Sequence, residues 1–408
     1  MSDLVELTAG QWGHGGVCVS RLEGRVVLLR LALPGERVVA RVTQRRAKFW
    51  RAEVLGVLDA SPDRVPHPWP AGLAAGVGGM DLAHVAPAAA RVAKAQVIGG
   101  QLAHALAQPV SVGVSAVGDA GPLGWRTRLD LAAGTDGWPG MFRSRSNQVV
   151  RVTEAPMAVP AIADLRLFER RFSPGRVTAV APSARPAFVV DCDQTAPRRS
   201  ELVQLADGRS WRYSLDGRGF WQAHYLAPAT LVAEVLRRVG PVTGAVVWDL
   251  YCGAGLFTLP LAEQVGAGGR VIGVEAGRQG LSDAQVNLSG LDWAQLVRTD
   301  VGRFVARQAG AVMAPARGPG ETSGSLDGAG QRPDVVVLDP PRIGVGPEVV
   351  QALIALAPPL VIYVSCEVST LARDLVGLVA GGYQVESVAG FDLFPGTWHA
   401  ETVTTLTR

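Results

Sequence analysis

Val246-Val-Trp-Asp-Leu-Tyr-Cys-Gly-Ala-Gly-Leu-Phe257, VVWDLYCGAGLF, decides how the second half of this chain is read. A continuous apolar run reads as a strand buried on both faces, and the acidic Asp249 stands near its end. A glycine-bearing turn follows, so Gly253 and Gly255 let a ligand approach the backbone at the sheet's C-terminal edge. The spacing is not G-x-G-x-x-G, which disfavours a dinucleotide pyrophosphate.

Working outward, strand and helix signals alternate from about residue 229: RVIGVEA, QLVRTD, DVVVLDPP, LVIYVSC and YQVESVAGFD. Apolar strands separated by helical patterns predict a doubly wound, mostly parallel α/β sheet with helices on both faces. Glu275, ending the second strand, is placed to accept hydrogen bonds from a ribose diol, and Asp300, after the third, to reach an adenine edge. A nucleoside site without phosphate chemistry suggests S-adenosyl-L-methionine rather than NAD. Asp339-Pro-Pro-Arg342 ends a fourth strand, its prolines stiffening a turn beside the glycine loop. In VIYVSCEVST, residues 361–370, a buried strand ends on Cys366 where polarity rises. Alone, such a thiol is most often an inert core residue.

The 408 residues suffice for two or three domains, and 48% hydrophobic with 18% charged residues describe an ordinary globular chain. A formal charge of +3 does not by itself announce nucleic acid. Residues 1–60 carry nine Lys/Arg against six Asp/Glu, with Arg45, Arg46, Lys48 and Arg51 crowded around Phe49 and Trp50. Such a cluster can hold phosphates and stack bases, or simply solvate a strand edge. The same segment alternates like a small β-barrel of about five strands. Residues 61–80 read as a linker, 84–108 as a helix broken at Gly99-Gly100, and 110–220 as β-rich with hairpin turns at Asp207-Gly208 and Asp216-Gly217. Residues 314–331 form a Gly/Pro/Ser-rich low-complexity insertion. Cysteines 18, 192, 252 and 366 show neither C-x-x-C spacing nor a disulfide framework. With no secretion signal and no apolar run of membrane-spanning length, a reduced cytoplasmic protein without membrane association is expected.

Asp249-Leu-Tyr-Cys-Gly-Ala-Gly-Leu-Phe257, Asp339-Pro-Pro-Arg342, Ser365-Cys366 with Thr370-Leu-Ala-Arg-Asp374, and Phe394-Pro-Gly-Thr-Trp-His-Ala-Glu-Thr-Val403 together resemble the signature set of the RNA uridine-5-methyltransferases, which make 5-methyluridine in rRNA and tRNA. The resemblance spans most of the chain. The N-terminal barrel is similar to a TRAM (OB-like) domain, and GMFRSRSNQVV fits the central α+β domain. It implies an RNA-binding barrel over 1–60, a central domain over 61–225 and a Rossmann-like, S-adenosyl-L-methionine-dependent methyltransferase domain over 226–408. It also implies Cys366 as a nucleophile adding to carbon 6 of uracil and Glu401 as the base that removes the carbon 5 proton. Arginine and backbone donors are expected to lower the thiol pKa. The implied cofactor-binding set is Gln222, Asp249, Tyr251, Gly253, Gly255, Glu275, Asp300 and Asp339. Arg45, Arg46, Lys48, Phe49 and Arg342 are expected on the RNA, with 23S rRNA favoured over tRNA, and the protein as a monomer.

Departures occur at His224 and at Glu367-Val368, where the family usually has asparagine and asparagine-proline. Many members hold a four-cysteine iron–sulfur cluster. Here Val77-Gly-Gly-Met80 replaces C-G-G-C and the partner position near Ala155-Pro156 is apolar, so no cluster is expected and apolar packing takes its place. Two alternatives stay open: an N-methyltransferase using the Asp-Pro-Pro turn, and a non-catalytic RNA-binding protein with a degenerate methyltransferase domain.

Overall fold

The computed structural model describes residues 3–119, 121–144, 146–313 and 332–408, so the low-complexity stretch 314–331 lies outside the described residues. Six strands rather than about five make the N-terminal sheet, in the order Leu4–Thr8, Arg37–Arg45, Phe49–Asp59, Arg25–Arg30, Val17–Leu22, Gln11–Gly13. The extra strand has only three residues, too short for its alternation to register. Its neighbours turn tightly: Glu23 and Gly24 both have positive φ (49° and 80°), as a two-residue type I′ hairpin requires. Inward residues Leu7, Val27, Leu29, Val38 and Ala40 fill its core.

The helix Pro87–Leu106 runs unbroken through Gly99-Gly100, correcting the expected break. Packing overrides propensity here: a Cβ on Gly99 would stand 3.1 Å from the Val110 carbonyl oxygen, so glycine lets the following chain return close to the helix. Beyond it lie a five-stranded sheet, centred on Arg128–Ala133 and Gly175–Val180, and the hairpin Arg199–Gln204/Ser210–Leu215.

The large sheet has eight strands, in the order Ala294–Arg298, Arg270–Glu275, Val246–Leu250, Val335–Leu338, Leu360–Ser365, Glu401–Thr407, Gln384–Phe391, Val112–Ser115. The first five pair in parallel, and Glu401–Thr407 enters antiparallel between Leu360–Ser365 and Gln384–Phe391. Alternate residues of each parallel strand face opposite cores. Trp248, Leu250, Ile272 and Tyr363 pack on the side of the helices Val301–Met313, Gly346–Leu356 and Val368–Ala380. Val247, Val271, Val337 and Ile362 face Ala227–Val239 and Thr258–Val265. Burial on both faces is why these strands read as unbroken apolar runs. The eighth strand comes from far upstream: Val112–Ser115 pairs in parallel with Val388–Phe391 across the expected boundary at 225/226.

Candidate active site

Every parallel strand delivers its polar end residues to one edge of the sheet. Asp249 is fully buried; one carboxylate oxygen accepts from Thr258 Oγ1, while Oδ1 meets no partner among the described residues. Burial pushes this carboxyl up to about 7. Tyr251, half-buried, opens the turn at φ +66°, a conformation that costs a non-glycine residue on the order of 1–3 kcal/mol. Gly253 (φ +53°) and Gly255 (φ +87°) continue it. The Glu275 carboxylate accepts from the Gly253 N–H at 3.1 Å and from the Gly277 N–H, tying the second strand's end to the glycine loop. Helix Arg278–Asn287 closes in as well: a Cβ on Gly280 would stand 3.2 Å from the Gly253 carbonyl.

Asp300 stands after the third strand, as expected, and its carboxylate has a second use. Its Oδ1 caps helix Val301–Met313, accepting from the Arg303 N–H at 3.0 Å, which fixes the carboxylate at the sheet edge. Gln222 is half-buried beside the exposed Phe220. Their loop is fixed through Trp221, which packs 5.1 Å from Tyr213, whose hydroxyl donates to the Leu256 carbonyl at 2.9 Å. His224 is buried and its Nδ1 accepts from the Leu226 N–H at 3.1 Å, a turn-forming bond.

The thiol and its carboxylate are brought together by register. Leu360–Ser365 and Glu401–Thr407 run antiparallel with Ser365 opposite Thr402, so one step further Cys366 faces Glu401. Thr402 Oγ1 locks the junction by donating to the Ser365 carbonyl at 3.0 Å. Glu401 is buried, and burial followed by the nearby Asp339 raises its proton affinity well above that of an ordinary carboxyl, against the pull of Arg342. Asp339, at the start of the Asp-Pro-Pro turn, is pushed up to about 7 by burial and by Asp249. Cys366 is pushed up to about 12 by burial and by Glu401, with Arg342 opposing. Without a bound base, burial outweighs the expected lowering of the thiol pKa. Arg342 pulls in the right direction, but it is exposed and screened while the sulfur is largely desolvated.

Arg45, Arg46, Lys48 and Phe49 gather on the barrel. Arg25 and Arg45 stack over Trp50 at 4.9 and 5.0 Å, Arg51 covers Phe49 at 5.4 Å, and Arg45 also pairs with Asp3 at 2.6 Å. Different barrel residues reach Cys366. Trp12, Gly13 and Gly16 line a narrow cleft together with Lys94, Cys366, Trp398 and His399. His14 stacks edge-on against Trp398 at 4.3 Å and lies 3.8 Å from Glu367, beside the thiol. None of this was expected from sequence; the only signal was an aromatic and a histidine between glycines in GQWGHGG.

Val77, Met80, Val152 and Met157 pack with Trp69 and Trp125 into one apolar cluster, with Ala155 against it. Among the described residues no group of three or more His, Cys, Asp or Glu could hold a metal ion. Nor is any helix among them long and apolar enough to cross a membrane.

A glycine loop after the first strand, acidic ends on its neighbours and an antiparallel strand let into one side define a methyltransferase sheet. A family model described as tRNA (Uracil-5-)-methyltransferase matches residues 199–408. An RNA methyltransferase of Streptomyces avermitilis is 36% identical, covering 100% of this chain and 98% of the relative. A 23S rRNA (uracil(1939)-C(5))-methyltransferase of Marinomonas posidonica is 30% identical over 97% of this chain and 93% of its own length. The crystal structure of Pyrococcus abyssi tRNA (uracil-54, C5)-methyltransferase superposes with a TM-score of 0.67 at 21% identity, covering 99% of this chain and 100% of that one. The chain belongs to the RNA uracil-5-methyltransferase family.

Proposed function

We propose that the protein methylates carbon 5 of a uridine in structured RNA through a transient bond between that pyrimidine and Cys366. The observation that carries the reading is the register that sets Cys366 against Glu401 at the mouth of a crevice holding Asp339 and Arg342. S-adenosyl-L-methionine supplies an electrophilic methyl group. The crevice fits it: Asp249 keeps a buried unpartnered oxygen, Gly253 leaves backbone open, and Glu275 sits at the loop's edge. Gln222, Tyr251 and Asp339 would complete its walls, and Asp300 would act through the helix it caps.

Carbon 5 of uracil is a weak nucleophile. Cys366 Sγ, once deprotonated, adds at carbon 6 and leaves an enolate whose carbon 5 is electron-rich. After carbon 5 is methylated, Glu401 takes its remaining proton, the C–H electrons restore the double bond, and Sγ departs. A carboxyl whose proton affinity is raised by burial makes the stronger base once ionised. Asp339, pushed up to about 7 by burial and by Asp249, would be able to exchange a proton at neutral pH.

The target base must leave its stack to reach Cys366. The N-terminal sheet, read as a TRAM-like barrel, would grip phosphates through Arg45, Arg46 and Lys48 with Phe49 and Trp50 stacking, so affinity falls steeply with salt. Full-length similarity to proteins named for 23S rRNA favours that substrate over tRNA. The working form is proposed to be a cytoplasmic monomer without an iron–sulfur cluster. RNA carrying 5-fluorouridine tests the chemistry, because fluorine cannot leave as the proton does. Wild type should form an adduct that survives denaturation, and Cys366→Ala should form none. Methylation by Cys366→Ala would instead favour an amino nitrogen as the acceptor.

A further inference from the structure

Lys94, on helix Pro87–Leu106, and Asp392, just after strand Gln384–Phe391, form an ion pair with Nζ and Oδ1 2.6 Å apart and each side chain only 2% exposed. The same ammonium donates to the Phe394 carbonyl at 3.2 Å. Phe394 begins the return Phe394–Ala400, which leads directly into Glu401. Leu82 N–H donates to the Gly396 carbonyl at 2.9 Å, Thr397 Oγ1 to the Phe394 carbonyl at 2.8 Å, and His399 N–H to Thr397 Oγ1 at 3.2 Å. The return is thus pinned at several points, and Lys94 supplies the pin with both charge and direction.

A buried ion pair is weak evidence of stability, because desolvation of two charges offsets much of their attraction. It does fix geometry, since any displacement strands a charge in an apolar surround. Lys94 lines the cleft beside Cys366, yet the charges that bear on the thiol are Glu401, Arg342 and Asp339. The ammonium therefore acts through the loop rather than on the sulfur.

We propose that Lys94 and Asp392 are positioning residues that hold the Phe394–Ala400 return, and through it the Glu401 carboxylate, in register with carbon 5 of the bound base. The proposal rests on Glu401 being the base of the covalent route. The step affected is the last: the carbon 5 proton passes to Glu401, the C–H pair forms the carbon 5–carbon 6 double bond, and the carbon 6–sulfur bond breaks with its electrons returning to Cys366. Loosening the return slows this release more than it slows sulfur addition.

Lys94→Met with Asp392→Leu removes both charges together, so neither is left unpaired. With natural RNA and S-adenosyl-L-methionine, the double variant should turn over about 10- to 100-fold more slowly. Its KM for RNA should stay within about three-fold of wild type. A methylated protein–RNA adduct should accumulate on denaturing gels where wild type shows little, and thermal unfolding should confirm the fold. A folded double variant that releases product at the wild-type rate, or whose loss lies wholly in KM, overturns the proposal. If that variant does not fold, Asp392→Asn keeps an acceptor for the ammonium and is judged by the same outcomes. Wild type that methylates without trapping 5-fluorouridine RNA removes the underlying covalent route, and that failure shows before any variant is made.

Discussion

In the RNA-free protein Cys366 should be one of the slow thiols. With its pKa pushed up to about 12, only ~1 in 10⁴ molecules carries the thiolate at pH 8, against roughly a quarter for an unperturbed cysteine. Alkylation by iodoacetamide should therefore run about 10³-fold slower than at an ordinary thiol, since the thiolate is the reacting form. A free cysteine peptide provides the standard, because Cys192 is itself pushed up by burial and by Asp193 and Asp191, while Cys18 and Cys252 are buried. Mass spectrometry of peptides sampled over time gives a rate for each cysteine. Slow access alone would give a rate that levels off near pH 9. A raised pKa gives a rate that climbs about ten-fold per pH unit up to at least pH 10. Arg342→Met removes the cation that opposes the rise and should slow alkylation by a further two- to five-fold or so, the modest effect of a screened, exposed charge. If Cys366 reacts as fast as the free cysteine peptide at pH 8, or if Arg342→Met speeds it, the electrostatic account of the site is wrong.

Three further outcomes follow from the same structure. Single-turnover methylation should rise with pH between 6 and 8 without levelling off, because burial holds Asp249 and Asp339 up near 7 and the thiol that must lose its proton higher still; a profile flat across that range would contradict this. Buried His84 is held down to about 3, and His224 and His399 to about 4, so each is neutral when folded and protonates more readily when unfolded. Their stabilisation is full above about pH 6.5 and falls by roughly 1.4 kcal/mol per group per pH unit below it, so the urea midpoint should drop steeply between pH 6.5 and 4.5 and less steeply in His84→Gln. Gly255→Ala forces φ +87° on a residue with a side chain and should weaken S-adenosyl-L-methionine binding by about ten-fold, measured calorimetrically, while an unchanged affinity would show that the loop adapts.

Much of the catalytic half was legible because its strands are buried on both faces and end in acidic or glycine residues. VVWDL, RVIGVE and LVIYVS announce themselves by composition, and Asp249, Glu275 and Cys366 mark where each stops. The register that opposes Cys366 to Glu401 was not legible, because a β-pairing between segments so far apart leaves no local trace. Val112–Ser115 was equally hidden: four residues, VGVS, alternate too briefly to stand out from a loop. Gly99-Gly100 misled for the opposite reason, since a strong local breaker was overruled by the close approach of Val110. The thiol's protonation could not be read either. Sequence shows that Arg342 is near in motif space, whereas the degree of burial that outweighs it is a property of the packed fold. Lys94, Trp12 and His14 carry no signature at all until the chain brings them to Trp398 and Asp392.

The edge strand Val112–Ser115 also constrains how the molecule can be made. It emerges from the ribosome long before Val388, its hydrogen-bonding partner, and must wait unpaired until that strand is made. A fragment begun at residue 226 would never acquire it. Such a fragment would leave Gln384–Phe391 as an open rim and would strip Ile98 and Leu102 from the core they share with Leu371 and Leu375. Attempts to graft the catalytic half onto another RNA-binding module should therefore carry residues 87–115 along, or expect a sheet that recruits a strand from its neighbours.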